Sequence, residues 1–236
     1  MDSETSCPRP DGSRRSDVDE VRRDGHRADS GVATKARLGI MGGTFDPIHF
    51  GHLVTAEEAL VQFNLNRVVF MPSGNPARKT HREVTSGEHR YLMAVIATAS
   101  NPDFEVSRME IDRAGPTYTV DTLRTLRSIH GSRADLYFIT GADAVWEIVT
   151  WKDADEFVDL CTFIAATRPG YDLDAARSEH AEQLARLKIE FIEVPALAIS
   201  STDIRLRVKE KRPVRYLTSE SVAAYIEKQK LYREAY

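Results

Sequence analysis

The chain has 236 residues, 42% of them hydrophobic and 29% charged, which is enough for one large or two small domains with a sizeable core. Its 32 lysines and arginines against 36 acidic residues give a formal net charge of −4. This balance argues against a general nucleic-acid binder or a membrane binder, which are usually basic, but it leaves room for a small basic pocket.

No apolar run is long enough to cross a bilayer, and the first residues do not resemble a signal peptide. The two cysteines, Cys7 and Cys161, lack the spacing of metal ligands and predict no disulfide framework. Cys161 lies in an apolar run and is expected to be a buried free thiol. We therefore expect a cytoplasmic protein.

Residues 1–35 differ in composition from the rest of the chain. They are rich in Ser, Asp, Arg, Gly and Pro and contain no aromatic residue. Such a segment buries too little apolar surface to order itself, so we predict a disordered tail followed by one domain over residues 36–236. A binding arm of mixed charge and an over-long start assignment stay open as alternatives.

From residue 37 onward, short apolar runs alternate with segments of helical periodicity. Extended segments are predicted at 38–41, 68–71, 104–111, 136–140, 163–166 and 189–194. Helices are predicted at 52–63, 88–99, 119–129 and 174–187, with short ones from about Thr202 and Ser219. This alternation predicts an α/β fold, a doubly wound parallel sheet with a small C-terminal helical part. Such sheets bind ligands at the carboxyl ends of their strands.

A glycine-rich and histidine-rich loop joins the first predicted strand to the first helix. Gly42 and Gly43 allow a close approach of the backbone to a ligand, and the unpaired N–H groups of a helix start suit a phosphate. His49 and His52 are three residues apart and lie on one side of the helix entrance, and Gly51 between them leaves space for a phosphate chain. The histidines alone are also compatible with a helix cap or a metal site, although zinc needs further ligands.

Read as a whole, Gly-Gly-Thr-Phe-Asp-Pro-Ile-His-Phe-Gly-His resembles the signature of the nucleotidyltransferases that carry a His-x-Gly-His motif. The resemblance implies that His49 and His52 contact the phosphates of ATP, with His52 stabilising the charge that develops at the α-phosphate. It implies no enzyme nucleophile and no general base, because a phosphate acceptor is already an anion. The resemblance also implies ATP contacts from Gly42, Gly43, Thr44, Phe45 and Gly51.

A second motif, Ile-Ser-Ser-Thr-Asp-Ile-Arg, spans residues 199–205. Ser200 and Asp203 predict a capping-box-like helix start, which would account for Ser200 alone. Further hydroxyls and a guanidinium at a helix start can also hold a polyphosphate. The string resembles the family's Ile-Ser-Ser-Thr-x-Ile-Arg motif, and the resemblance assigns the β- and γ-phosphates to three side chains. These are Ser201, Thr202 and Arg205, of which Arg205 joins the two histidines as a catalytic candidate.

Among the branches of this superfamily, the chain resembles the nicotinate-nucleotide adenylyltransferases, which join nicotinate mononucleotide and ATP into nicotinate adenine dinucleotide and release pyrophosphate for NAD synthesis. The resemblance places Tyr118 and Thr119 at a helix start that faces the nicotinate carboxylate, although an ordinary Thr-rich helix entry explains them as well. It places Trp151 against the pyridine ring. Lys152 stands where some relatives carry an aromatic residue.

Other positions follow from the resemblance alone. Gly141 and Asp143 are expected at the ATP ribose, Arg168 near the adenine, and Lys79 at a phosphate, although Lys79 also fits a solvated run of charges. Trp146 is expected in the core. Mg²⁺ is expected to bind mainly through the phosphates, with no protein ligand. Two rivals stay open: an adenylyltransferase for phosphopantetheine and a nucleotide sensor without activity. The sequence does not decide whether the chain forms a homo-oligomer.

Overall fold

The structure, a computed structural model, describes residues 35–76, 84–145, 147–167, 184–195 and 198–233. Residues 1–34 of the predicted N-terminal tail and residues 174–183 of the predicted polar helix lie outside these ranges. Eight strands are described: β1 (Ala36–Gly43), β2 (Arg67–Pro72), β3 (Asn75–Pro76), β4 (Phe104–Val106), β5 (Pro116–Thr117), β6 (Ala134–Gly141), β7 (Thr162–Thr167) and β8 (Ile189–Glu193).

Six of these strands form one parallel sheet in the order β4-β2-β1-β6-β7-β8, while β3 and β5 pair separately. From β1 the chain adds β2 and β4 on one side, and then β6, β7 and β8 on the other. The direction in which strands are added to the sheet therefore reverses between β1 and β6. Open α/β sheets bind their ligands at such a switch point. This arrangement confirms the predicted doubly wound fold.

Helices pack on both faces of the sheet. Seven α-helices are described: α1 (Phe50–Gln62), α2 (Gly87–Thr98), α3 (Thr119–His130), α4 (Ala142–Val145), α5 (Phe157–Leu160), α6 (Ser201–Lys209) and α7 (Glu220–Lys228). Short 3-10 turns lie at Gly131–Arg133, Ile148–Thr150 and Ala154–Glu156. The predicted helices at 52–63, 88–99 and 119–129 and the two short C-terminal helices are thereby confirmed.

Alternate side chains of the central strands divide the core into two clusters, because successive residues of a strand point to opposite faces. Met41 of β1 and Ile139 of β6 belong to the cluster beneath α1, α2 and α7. Ile40 and Phe138 belong to the cluster beneath α3 and α5, which also contains the buried thiol of Cys161. Burial on both faces explains why these strands read as continuous apolar runs.

The prediction of extended structure over 104–111 was wrong beyond Val106, where β4 ends. The following residues turn instead, and the amide of Asp112 donates to the carbonyl of Arg108 at 2.9 Å. The Arg108 guanidinium also binds the carboxylates of Asp112 and Glu88, at 2.9 and 2.6 Å. This turn directs the side chain of Glu110 into the protein, where it is 7% exposed.

Arg90 of α2 is the largest fully buried side chain of the described residues, with 1% exposure. Its Nε donates to the carbonyl of Thr85 at 2.7 Å, Nη1 to that of Thr44 at 2.8 Å, and Nη2 to that of Gly74 at 3.0 Å. A buried guanidinium is tolerated when its donors are satisfied in this way. Arg90 therefore ties together the loops that follow β1 and β2 and the segment that precedes α2.

The loop after β2 is in turn locked to α3. A Cβ on Gly74 would lie 2.0 Å from the carbonyl oxygen of Glu110, so only glycine fits at this approach. The Glu110 carboxyl accepts a hydrogen bond from the Thr122 hydroxyl at 2.6 Å, and that hydroxyl accepts one from Arg113 at 2.9 Å. Burial raises the pKa of Glu110 to about 7, against the opposing effects of Thr122, Arg113 and Arg90.

The raised pKa of Glu110 predicts a pH dependence of stability. The folded state binds this proton more tightly than the unfolded state, so the contribution of Glu110 is full below about pH 4.5 and is lost as the pH rises through about 7. Glu110→Gln keeps the shape and one acceptor but does not ionise. We expect its free energy of unfolding in urea to equal that of the parent near pH 4 and to exceed it by on the order of 2 kcal/mol at pH 8.

A matched control is Glu190→Gln, at an exposed position of β8. Its free energy of unfolding should stay close to that of the parent, because the Glu190 side chain is exposed. A gain for Glu110→Gln that is equal at pH 4 and pH 8 would contradict the assignment.

Candidate active site

Two cavities adjoin the carboxyl ends of β1 and β6, where the strand order reverses. The first, which we call the histidine cavity, has a volume of about 390 Å³. It is lined by Met41, His49, Gly51, His52, Thr55, Gly141, Ala142, Ala166, Thr167, Val194, Pro195, Ile199, Ser200 and Ser201. The second, the tryptophan cavity, has a volume of about 740 Å³. It is lined by Gly42, Gly43, Thr44, Ser73, Pro76, Glu110, Thr117, Tyr118, Thr119, Phe138, Thr140, Ala144, Thr150, Trp151, Lys152 and Phe157.

The two histidines of the first motif lie together on the histidine cavity. Their rings stack with centroids 3.7 Å apart, and the ring of Phe45 meets His52 edge-on at 5.0 Å. The backbone amide of His49 donates to Nδ1 of His52 at 3.2 Å. Because that nitrogen accepts, the proton of a neutral His52 ring resides on Nε2. His52 is thus fixed as a hydrogen-bond donor through Nε2.

His49 is neutral at physiological pH. Its side chain is 7% exposed, and burial lowers the pKa of the imidazole to about 4. Its Nδ1 is buried and has no hydrogen-bond partner within the described ranges. A Cβ at Gly51 would lie 3.0 Å from this nitrogen, so a larger residue there would crowd the ring. The buried ring of His49 is thus a neutral group in the wall of the histidine cavity.

The C-terminal part of the chain holds the loop between β1 and α1, residues 44–49, which we call the histidine loop. Arg205 donates through Nη1 to the carbonyl of Asp46 at 2.6 Å, and Ser201 donates to the carbonyl of Pro47 at 2.9 Å. The hydroxyl of Tyr232 donates to the Asp46 carboxylate at 2.8 Å. Burial and the neighbouring Asp46 raise the pKa of Tyr232, so its hydroxyl stays protonated as a donor. The two sequence motifs are therefore one structural unit.

The start of α6 differs in detail from the predicted capping box. The Ser200 hydroxyl accepts from the amide of Asp203 at 3.1 Å, as a cap requires. The carboxylate of Asp203, however, accepts from Nε of Arg207 at 2.7 Å, one helical turn further on. The Thr202 hydroxyl accepts from Nη2 of Arg205 at 3.1 Å. Thr202 and Arg205 thus form a pair of polar groups beside the histidine loop.

The residues predicted for the acceptor converge on the tryptophan cavity. Tyr118 and Thr119 form its wall at the start of α3, and Trp151 lies on the same cavity. Trp151 packs edge-on against Phe138 and Phe157, with centroids 6.2 and 6.1 Å away. These contacts fix the plane of the indole, which suits it to stack on a flat ring.

The first three residues of the motif, Gly42, Gly43 and Thr44, line the tryptophan cavity. Their contact with ATP stays a prediction. A Cβ on Gly42 would lie 2.7 Å from the ring of Phe138, and one on Gly43 would lie 2.8 Å from the ring of Phe45. The missing side chains of Gly42 and Gly43 therefore leave room for these two rings at the end of β1. Phe45 itself is 2% exposed and has a left-handed φ of 51°. Its ring packs edge-on against that of His52.

Other predicted residues cannot be placed completely. Lys79, Arg168 and Trp146 lie outside the described residues. Asp143 belongs to α4, and only its backbone is described. Gly141 lies on the histidine cavity. The roles of all five stay predictions.

Three positioning residues were missed by the sequence analysis. Arg90 had a signal, because it lies on the same helical face as the buried Met93 and Ala97 of α2, where a charged residue needs a reason. Glu110 was obscured by the wrong prediction of extended structure. Tyr232 follows the last helix and has no periodicity that would predict its burial.

Within the described ranges, no group of three or more His, Cys, Asp or Glu side chains is arranged to hold a metal ion. None of the described helices combines the length and apolar character of a membrane span.

The sequence matches known proteins over most of its length. The family model described as Cytidylyltransferase-like matches residues 40–207. A protein of Thermoanaerobacter sp. (strain X514) named probable nicotinate-nucleotide adenylyltransferase is 55% identical over 201 residues, which are 84% of this chain and 95% of that protein. A protein of the same name from Moorella thermoacetica is 57% identical over 205 residues, covering 86% of this chain and 94% of that protein.

The fold also matches solved structures. Nicotinic acid mononucleotide adenylyltransferase of Plasmodium falciparum, complexed with nicotinate adenine dinucleotide (NaAD), superposes with a TM-score of 0.67 at 21% identity. The match covers 84% of this chain and 97% of that one, and at this identity it supports the fold. On the sequence matches, the chain belongs to the cytidylyltransferase-like family and, within it, to the nicotinate-nucleotide adenylyltransferases.

Proposed function

We propose that the protein transfers AMP from ATP to nicotinate mononucleotide, giving nicotinate adenine dinucleotide and pyrophosphate for NAD biosynthesis. The observation that carries the proposal is the pair of cavities at the ends of β1 and β6, where the strand order reverses. One cavity holds the stacked histidines, and the other is lined by Trp151 and the start of α3. The names of relatives at 55% and 57% identity agree with it. Cytoplasmic location is part of the proposal, and whether the chain assembles with copies of itself stays open.

In this proposal ATP occupies the histidine cavity and the mononucleotide occupies the tryptophan cavity. An oxygen of the mononucleotide phosphate attacks the α-phosphorus of ATP and forms a new P–O bond. The bond from the α-phosphorus to the bridging oxygen of the β-phosphate breaks, and pyrophosphate leaves with that electron pair. The attacking phosphate is an anion, so no proton has to be removed from it.

The residues of the histidine cavity would position and neutralise the triphosphate. His52 presents a proton on Nε2, fixed by the amide of His49, and can donate to an α-phosphate oxygen as its charge increases. Arg205 is already oriented on the histidine loop and has further N–H groups that would serve the β- and γ-phosphates, whereas the Ser201 hydroxyl would have to turn away from the carbonyl of Pro47 to donate to them. Donors that are placed before the reaction need little reorganisation when charge develops.

Mg²⁺ is proposed to accompany the triphosphate. The described residues offer it no dedicated cluster of carboxylates, whereas phosphate oxygens and water suit its octahedral coordination. Bound there, Mg²⁺ would supply neutralisation of the phosphate charge. No protein ligand and no step is assigned to it.

The proposal is tested by the release of pyrophosphate from ATP and Mg²⁺ with three acceptors in parallel: nicotinate mononucleotide, nicotinamide mononucleotide and phosphopantetheine. We expect strong turnover with nicotinate mononucleotide. Turnover with phosphopantetheine alone would keep the reaction type and reject the acceptor. Silence with all three acceptors, together with retained ATP binding, would favour a nucleotide sensor.

His52→Ala should lower kcat for nicotinate mononucleotide by about a hundredfold or more, because it removes the fixed donor to the α-phosphate. The KM values should change much less, and the thermal unfolding temperature should stay near that of the parent. His130→Ala, at the far end of α3, provides the control and should keep full activity. Near-normal turnover in His52→Ala would remove this residue from the mechanism.

Trp151→Ala should raise the KM for the mononucleotide by roughly tenfold, consistent with the loss of about 1 kcal/mol of ring stacking. The KM for ATP should stay close to that of the parent, because Trp151 lies on the other cavity. Trp151→Phe keeps a flat ring and should lose much less. Equal increases in both KM values would contradict the stacking role and indicate a general disturbance of the fold.

A further inference from the structure

Lys152 follows the stacking candidate Trp151 and is turned toward the start of α3. Its Nζ lies 3.1 Å from Oδ2 of Asp121, in the first turn of that helix, and 4.8 Å from the centre of the Tyr118 ring. Both Lys152 and Tyr118 line the tryptophan cavity. The ammonium is therefore located at the helix-start end of the cavity by two contacts.

This end of the cavity already favours an anion for a second reason. Tyr118 is the N-cap residue of α3, and its side chain makes no capping hydrogen bond. The first amides of the twelve-residue helix thus lack a side-chain cap, and the helix dipole adds a partial positive charge. Among the described residues that line the cavity, Lys152 is the only basic one, and the only acidic one is Glu110, which accepts from Thr122 at 2.6 Å and whose pKa is raised by burial to about 7.

The acidic groups near Lys152 are directed elsewhere. Arg124 binds Asp121 at 2.9 Å, Asp153 at 2.8 Å and Glu156 at 2.6 Å, and none of these four residues lines the cavity. Partial burial raises the pKa of Asp121, but the hydrogen bonds and charges of Lys152 and Arg124 lower it by more, so it remains an anion. The carboxylate of Asp121 thereby anchors Lys152 at the cavity wall.

We propose that Lys152 determines acceptor specificity, because its ammonium favours a pyridine ring that carries a carboxylate over one that carries a carboxamide. The inference rests on the proposed function. The two mononucleotides have nearly the same size and differ in charge at one substituent, so packing against Trp151 cannot separate them. A cation at the wall stabilises the carboxylate form selectively.

The test compares kcat/KM for nicotinate and nicotinamide mononucleotide at saturating ATP. In Lys152→Met, which keeps the length of the side chain, we expect the preference for the nicotinate form to fall by about five- to tenfold. That range follows from the energy of a charge pair near a protein surface, discounted for solvent. The change should come from the KM for nicotinate mononucleotide, with the nicotinamide form nearly unaffected.

Two matched variants separate charge from structure. Lys152→Arg keeps the positive charge and should keep most of the preference. Asp121→Asn removes the charge of the ion pair but keeps an amide oxygen that accepts a hydrogen bond from the ammonium, so Lys152 should stay at the cavity wall and the preference should be retained as well. If Asp121→Asn lost as much preference as Lys152→Met, the preference would depend on the ion pair between Lys152 and Asp121 and not on the ammonium itself. That result would overturn the proposal.

Ionic strength provides an independent readout. Raising the salt concentration should reduce the preference of the parent enzyme more steeply than that of Lys152→Met, since salt screens the partly exposed ammonium. An equal fall for both acceptors in Lys152→Met, an unchanged ratio, or a parent that uses both forms equally would each overturn the inference. A parent that uses neither mononucleotide would instead reject the proposed function.

Discussion

The guanidinium of Arg90 is the interaction on which the geometry of the site depends. A buried cation costs several kcal/mol unless its donors are paired, and here the carbonyls of Thr44, Gly74 and Thr85 pair them. The three loops cannot relax independently while they share this partner. Because Thr44 belongs to the histidine loop and Gly74 packs on Glu110, one side chain sets the spacing between the loops that flank the two cavities.

The histidine loop is held from a second direction by the C-terminal part of the chain. Arg205 and Ser201 bind its backbone, and Tyr232 binds the carboxylate of Asp46. With Arg90 acting on Thr44, the loop is fixed at both ends before any ligand arrives. This explains why the two motifs, far apart in sequence, both belong to the site: α6 orients the histidines in addition to any contact that it makes with phosphates.

The order of the six strands of the main sheet and of the longer helices could be predicted because each of these elements has a local sequence pattern. The short elements β3, β5, α4 and α5 have only two to four residues each and were not predicted. The buried strands are apolar runs, and α1, α2 and α3 carry a helical periodicity. The site was harder, because its residues satisfy long-range contacts that leave no local pattern. Gly42 and Gly43 illustrate this point: the motif predicts that they contact a ligand, and it does not reveal that their missing side chains also leave room for the rings of Phe138 and Phe45. The hydrogen bond from Tyr232 to Asp46 spans 186 positions, and no periodicity encodes it.

The protonation states of the site agree with a reaction that transfers no proton to the protein. A general base works best with a pKa near the working pH, whereas burial lowers the pKa of His49 to about 4. His49 is therefore a poor base but a sound neutral hydrogen-bonding group. The amide of His49 also commits Nδ1 of His52 to accepting, so the second histidine faces its ligand as a donor. In the proposed reaction both histidines would therefore position phosphate and stabilise its charge, which is the demand that phosphoryl-type transfer makes on a protein.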